Sequence, residues 1–251
     1  MEIFSKLMVK RLPKINNEID QYQNTPLHYA AKYGRVSIVR LLCSHGVNVK
    51  CKNIDGFLPS HYAAICGSLP ILQILQLNGD SLTAVNYNKW TPLHYAIKYQ
   101  HQHIIEYLMQ IESAIIPPLT SEIDNDIVHS NFPKTEYSPH SYDVAATLIQ
   151  LAAAYGSTNL IETIINKIDG FDSLNHNGWN LLHFAASNGI TDVFYCVHNL
   201  VKSDEIFYVK DRNLRNLSHV ATISDHLDVL IALDELNIIQ YNEKDKFGIL
   251  F

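Results

Sequence analysis

The stretch TPLHYAAKYG at residues 25–34 returns almost unchanged as TPLHYAIKYQ at residues 91–100, and LPSHYAAICG at residues 58–67 lies between them. The histidine of this phrase is spaced by 33 residues in the three copies. The same position recurs along the chain as His28, His61, His94, Gln150, His183 and His219. A phrase that returns at an interval of this size predicts an array of small structural units, each too small to bury its own apolar face.

Each copy of the phrase is followed by a second apolar segment with helical spacing. In the first copy this segment contains Ile38, Val39, Leu41 and Leu42. Apolar residues at i, i+1, i+3 and i+4 predict a helix of roughly ten residues rather than a strand. The phrase itself predicts a shorter helix, with Thr25 as the cap and Pro26 at the first helical position. Glycines are expected to end these shorter helices at Gly34, Gly67, Gly156 and Gly189.

The phrase TPLHYAA, the 33-residue period and the turns DGF and HNG resemble the ankyrin repeat over nearly the whole chain. The resemblance implies an all-α solenoid of about six helix-pair repeats with short hairpin fingers and one long insertion. It divides a single array, 1–251, into a cap helix at 1–19, repeats at 20–52, 53–85 and 86–114, an insertion at 115–142, repeats at 143–174, 175–210 and 211–244, and the start of a seventh finger at 245–251. That last finger is either an unusual cap or, as we expect, a sign that the chain is the front portion of a longer polypeptide.

Composition excludes several classes of function. The net charge is -6, so the chain lacks the basic surface that nucleic acids and acidic membranes require. No segment has the length of a signal peptide or of a spanning helix. The four cysteines form no CxxC pair, which predicts reduced thiols and a cytoplasmic protein. The sequence leaves the oligomeric state open, with a monomer as the expectation.

The chain offers one candidate for metal chemistry, His101, His103 and Glu106 in the stretch HQHIIE. The resemblance favours the other interpretation, since ankyrin repeats commonly begin their second helix with Gly-His and use histidines for hydrogen bonds within and between repeats. No nucleophile, phosphate loop or carboxylate pair stands out. We therefore predict no catalytic residue, no cofactor and no metal, and a protein that is not an enzyme.

The resemblance implies a protein partner, either a peptide or a folded domain, held on the fingers and first helices. The finger column just before the Thr position contains Phe57 and both tryptophans, Trp90 and Trp179. Aromatic residues dominate interface energies, although these rings could instead pack on neighbouring fingers. The predicted contact residues are Tyr22, Asn24, Tyr33, Asp55, Phe57, Tyr87, Trp90, Tyr99, Tyr155, His176, Trp179, Arg212 and Arg215.

Two alternatives to a pure binding protein stay open at this point. The array could be the targeting or regulatory region of a larger enzyme. The Asn-, Ile-, Lys- and Tyr-rich composition also fits an AT-rich genome, and ankyrin proteins of bacteria with such genomes often resemble effectors delivered into eukaryotic hosts. In that case the protein would act in the cytoplasm of the host cell.

Overall fold

The computed structural model describes residues 18–112, 148–167, 174–175, 177–240 and 242–250. The predicted cap helix before residue 18, the insertion at 115–142 and His176 lie outside the described residues. The chain forms two compact units, the first within Met1–Ile116 and the second within Pro117–Phe251. The regular secondary structure of the described residues is helical in both units, and their only β pairing is an isolated bridge between Lys244 and Leu250.

The first unit contains three helix pairs, each made of a short first helix and a longer second helix. They are α1 Pro26–Lys32 with α2 Val36–Ser44, α3 Pro59–Ile65 with α4 Leu69–Leu77, and α5 Pro92–Lys98 with α6 Gln102–Glu112. Helix α3 packs between α1 and α5, and α4 packs on α2. The first helices thus follow one another in sequence order, as the repeat pattern predicts.

The second unit repeats this arrangement with three more pairs. They are α7 Leu148–Ala154 with α8 Thr158–Lys167, α9 Leu181–Asn188 with α10 Thr191–Leu200, and α11 Leu217–Ile223 with α12 Leu227–Glu235. A short 3-10 helix, Asp204–Tyr208, follows α10. Helix α9 packs between α7 and α11, while α10 packs between α8 and α12.

Small residues allow the first helices to approach closely. Ala63 and Ala96, two residues after their marker histidines, are fully buried in the first unit, and Ala185 has the same position and burial in the second. The second helices supply the larger core residues, including Ile71, Leu72 and Leu75, which are also fully buried. Burial of these stripes against neighbouring pairs supplies most of the stabilisation, at about 25 cal/mol per Å² of apolar surface.

The ends of the first helices follow the sequence signals. Proline occupies the first turn of α1, α3 and α5, where its missing N–H costs nothing. Gly34, Gly67, Gly156 and Gly189 adopt positive φ where the first helix ends, as predicted. Asparagine replaces threonine at two starts in the second unit, where the Oδ1 atoms of Asn180 and Asn216 accept hydrogen bonds from the helix N–H groups. The sixth repeat therefore keeps a working cap.

Candidate interaction face

A finger precedes each first helix except α7, whose preceding residues lie outside the described ranges, and an aspartate or asparagine closes it. In the second finger, Oδ1 of Asn53 accepts hydrogen bonds from the N–H groups of Asp55 at 3.1 Å and Phe57 at 2.8 Å. Asp20, Asn175, Asp211 and Asp245 make the same pair of bonds, and Asn86 makes the second of them. Sequence reasoning missed this column, although its signal is present as Asp or Asn eight residues before each marker histidine.

Backbone hydrogen bonds join consecutive fingers within each unit. In the first unit the N–H of Ile54 donates to the carbonyl of Tyr22 at 3.0 Å, and the N–H of Tyr87 donates to the carbonyl of Asp55 at 3.1 Å. In the second unit Arg212 donates to Asn177 at 2.9 Å and Lys246 donates to Asn213 at 2.8 Å. Each unit therefore presents a hydrogen-bonded row of fingers beside its first helices. We call this surface the finger face of the unit.

Two marker histidines of the first unit, His28 and His61, connect their first helix to the following finger. Nε2 of His28 lies 3.0 Å from the carbonyl oxygen of Phe57, and Nε2 of His61 lies 3.0 Å from that of Trp90. The backbone N–H groups of Thr25 and Leu58 donate to Nδ1 of these same rings. Because Nδ1 accepts, the proton is on Nε2, and both rings are neutral donors.

Gln150 and His219 extend this pattern into the second unit. The Nε2 amide of Gln150 donates to the carbonyl of Trp179 at 3.3 Å, and Nε2 of His219 lies 3.2 Å from the carbonyl of Ile249. Glutamine thus reproduces the bond to the next finger at the position where the fourth repeat lacks its histidine. Burial lowers the pKa of His61 and of His183 to about 4, so both rings are neutral at physiological pH.

The three aromatic residues of the finger column, Phe57, Trp90 and Trp179, are half-buried by contacts within the protein. The ring of Phe57 lies 5.1 Å from that of Tyr62 and 5.2 Å from that of Tyr95, between two first helices. Trp90 packs on Tyr95 at 5.1 Å, and the ammonium of Lys98 lies 5.5 Å from its ring. The ring of Phe57 therefore joins neighbouring repeats, whereas that of Trp90 packs within its own repeat, and part of each ring remains on the finger face.

Trp179 is the aromatic residue of this column whose ring also makes a hydrogen bond. Its ring packs on His183 and Phe184, and its Nε1–H donates to Oδ2 of Asp211 at 3.2 Å. Arg215 binds the same carboxylate through Nε at 2.7 Å. Although burial opposes ionisation of Asp211, these hydrogen bonds outweigh it and hold the carboxyl pKa below its ordinary value. Trp179, Asp211 and Arg215 thus form one internal cluster.

Four of the predicted contact residues are tyrosines that project into solvent. Tyr22, Tyr33, Tyr87 and Tyr99 expose 54, 60, 52 and 47% of their surfaces, all on the first unit. Asp55 and Arg212 are exposed finger residues as well. Asn24 is half-buried because its Oδ1 accepts from Nδ2 of Asn53 at 2.9 Å, and Tyr155 packs on Phe184. The exposed aromatic residues among the predicted contacts therefore lie on the finger face of the first unit, while the second unit exposes Tyr208 and Phe247.

The candidate metal ligands have other partners. Nε2 of His101 lies 3.0 Å from the carbonyl of Ile65, and Nε2 of His103 lies 3.1 Å from that of Gly67. Glu106 instead accepts a hydrogen bond from Gln102 at 2.9 Å. Across the described ranges, no group of three His, Cys, Asp or Glu side chains has the geometry for a metal ion. His101 and His103 therefore serve to fasten the third repeat to the second.

The four cysteines are free, and burial raises the thiol pKa of Cys43, Cys66 and Cys196. A raised pKa keeps these thiols protonated and poorly nucleophilic at neutral pH. Within the part of the chain that the structure describes, no helix is long and apolar enough to cross a membrane.

Comparison with known proteins gives the family. The family model described as "Ankyrin repeats (3 copies)" matches residues 2–86, 49–118 and 147–245. The chain belongs to the ankyrin repeat family. Ankyrin repeats are generally protein–protein interaction modules.

The crystal structure of the human ASB11 ankyrin repeat domain is similar to this ankyrin array. The TM-score is 0.65 with 16% sequence identity, and the match covers 90% of this chain and 92% of that chain. At this identity the likeness shows the fold alone. A search of curated proteins gives no match.

Proposed function

We propose that this ankyrin array is a non-catalytic binding module that holds a partner protein on the finger face of its first unit. The observation that carries the proposal is the set of exposed tyrosines, Tyr22, Tyr33, Tyr87 and Tyr99, on a frame fixed by hydrogen bonds. Tyrosine buries a large area at little cost in side-chain entropy and is enriched where interfaces gain most of their energy.

The frame supports binding because it leaves little to be ordered when a partner docks. The bonds from His28 and His61 to the next fingers, and the backbone bonds between fingers, fix the spacing of the tyrosines. A preorganised surface loses less conformational entropy on association than a flexible one does. We therefore expect rigid-body binding, with the backbone of the fingers unchanged in the complex.

Affinity capture from a eukaryotic lysate tests this proposal. The wild-type chain is compared with Tyr33→Ala plus Tyr99→Ala, which removes two exposed rings, and with Leu77→Ala. Leu77 is a matched control because it is 85% exposed on the second helix α4, away from the finger face. The variants should keep their helical circular dichroism, since all three side chains are exposed.

We expect at least one protein that is captured by wild type and by Leu77→Ala but not by the tyrosine double variant. An identical set of captured proteins with all three chains would contradict it. Capture that depends on Leu77 and not on the tyrosines would assign binding to the second helices instead.

A further inference from the structure

On the finger face of the first unit, cationic side chains lie over aromatic rings. Lys32 is the last residue of α1, and its ammonium lies 6.0 Å from the ring centroid of Tyr33 and 5.8 Å from that of Tyr62. Lys98 is the last residue of α5, and its ammonium lies 5.5 Å from the ring centroid of Trp90. Both lysines are exposed, and they occupy the same position two repeats apart.

A third lysine extends this row toward the fingers. The ammonium of Lys52 lies 5.8 Å from the ring centroid of Tyr87 and donates to the carbonyl of Val85 at 2.9 Å. Cation–π contacts at exposed sites are worth only about 0.5–1 kcal/mol, so they position these ammonium groups without neutralising their charge. Lys32, Lys52 and Lys98 together form what we call the lysine row.

No residue within the described ranges forms an ion pair with the lysine row. The ion pairs that the structure shows join Lys210 with Glu243 and Arg215 with Asp211, both in the second unit. Two carboxylates lie on the same finger face as the lysine row. Asp20 is held by the hydroxyl of Tyr29 and by the N–H groups of its own finger, whereas Asp55 is exposed at a finger tip.

The position of Lys32 and Lys98 is not basic in the second unit. The equivalent residues there are Ala154, Ser187 and Thr222, as read from the marker positions. Arg215 on that unit is already paired with Asp211. The lysine row is therefore a feature of the first unit, and it is cationic in a protein whose net charge is -6.

We propose that the finger face of the first unit recognises an acidic polypeptide segment. Carboxylates of the segment would pair with the lysine row, while its apolar and aromatic groups would pack on Tyr33 and Tyr99. This inference rests on the proposed function and adds the chemistry of the partner. Each exposed ion pair contributes little, so the row gives specificity for charge and a faster encounter, and the rings give most of the affinity.

Selection from a displayed library of random twelve-residue peptides tests the inference with the full chain. Wild type is compared with Lys32→Gln plus Lys98→Gln. The matched control is Arg40→Gln plus Lys50→Gln, which removes the same charge from two exposed residues of the first unit outside the lysine row. Peptides selected by wild type and by the control should be enriched in Asp and Glu, and the enrichment should be lost with the lysine variant.

The best selected peptide is then measured directly. We expect a Kd about tenfold weaker for the lysine variant than for the control, and a weakening of about fivefold for wild type between 50 and 500 mM NaCl. Selected peptides that need Tyr33 and Tyr99 but show no acidic enrichment would overturn this inference and leave the proposed function standing. Peptides rich in Lys and Arg would also overturn it, as would enrichment only in an enzymatically phosphorylated copy of the library.

Failure of the proposed function has a different signature. In that case no selected peptide would lose binding with Tyr33→Ala plus Tyr99→Ala, whatever its charge. The two readouts, dependence on the rings and dependence on the lysines, therefore separate the two claims.

Discussion

The imidazole of His28 donates from Nε2 to the carbonyl oxygen of Phe57, 29 residues further along the chain, at 3.0 Å. This bond ties the first helix of one repeat to the finger of the next. His61 makes the equivalent bond to Trp90, also at 3.0 Å. The histidine of the repeated phrase thus connects consecutive repeats. Only the neutral ring can accept at Nδ1 while it donates from Nε2.

Two substitutions of His61 should separate the contributions that its two hydrogen bonds make to stability. His61→Gln keeps a donor for the carbonyl of Trp90, as Gln150 does for Trp179, but loses the acceptor for the N–H of Leu58. We expect this variant to be about 1 kcal/mol less stable than wild type, and His61→Leu to be about 2–3 kcal/mol less stable, because it leaves both buried partners unsatisfied. Urea unfolding followed by circular dichroism measures the difference. Equal stability of the two variants would show that the bond to the next finger contributes nothing.

Acid should destabilise the array through its buried histidines. The pKa of His61 and of His183 is about 4 in the folded protein, below the ordinary value of 6.5. The unfolded chain therefore binds more protons between pH 6.5 and pH 4. The free energy of unfolding is unaffected by these histidines above pH 6.5. Below that pH it falls by up to about 1.4 kcal/mol per pH unit for each histidine.

Unfolding curves between pH 7 and pH 5 check this expectation, with His61→Gln as the comparison. The variant should show a shallower loss of stability than wild type because it lacks one of the buried imidazoles. A pH profile that is flat in wild type would contradict the assignment of neutral, buried rings.

Glycine at the end of α3 should be less replaceable than glycine at the end of α1. Gly34 and Gly67 both have positive φ, +66° and +76°, so alanine is strained by a similar amount at each. A Cβ at Gly67 would also lie 2.9 Å from the ring of His101, whereas a Cβ at Gly34 meets no atom within 4 Å.

We expect Gly34→Ala to cost about 1 kcal/mol and Gly67→Ala to cost about 2–3 kcal/mol, because the second change displaces His101 from the carbonyl of Ile65. Thermal unfolding of the two variants is the measurement. If both variants unfold at the same temperature, displacement of His101 has no energetic cost and the residue does not fasten the repeats.

Asp80 should destabilise the first unit at neutral pH. It is buried at the position where the neighbouring repeat has Val47, and burial raises its carboxyl pKa above the ordinary value, although a hydrogen bond from Leu82 opposes the shift. A raised folded pKa means that stability falls as the pH rises through 3.8 and above.

Asp80→Asn keeps the oxygen that accepts from the N–H of Leu82 at 2.8 Å and removes the charge. We expect a gain of about 1 kcal/mol at pH 7 that shrinks toward pH 4. The control is Asp55→Asn, an exposed position where no gain is expected. A less stable Asp80→Asn at pH 7 would mean that the buried carboxylate is better satisfied than its surroundings indicate.

Replacement of Leu214 by glycine should stabilise the second unit. Its φ is +60° at a finger position where Gly56, Gly178 and Gly248 stand in other repeats. A non-glycine residue in this region costs about 1 kcal/mol, and the Leu214 side chain is 52% exposed, so little packing is lost. Leu214→Gly is expected to raise the thermal midpoint of the second unit. A lower midpoint would show that the leucine contributes packing that outweighs the strain.

The sequence by itself determined the repeat, the two helices of each repeat and their order. These follow from local signals, because an apolar stripe at helical spacing, a proline at a helix start and a glycine at its end act within a few residues. The aromatic column was also visible, since Phe57, Trp90 and Trp179 share one position in the period.

Only the tertiary structure decided how each member of that column is used. Trp179 donates to Asp211, 32 residues later, whereas the ring of Trp90 lies under Lys98. The sequence assigns the same position to both, because a repeat pattern reports the backbone register and not the side chain that a neighbouring repeat brings into contact. The sequence also predicted Tyr22, Tyr33, Tyr87 and Tyr99 as contact residues, but only packing between repeats decided that these rings stay exposed and that Lys32, Lys52 and Lys98 lie over aromatic rings.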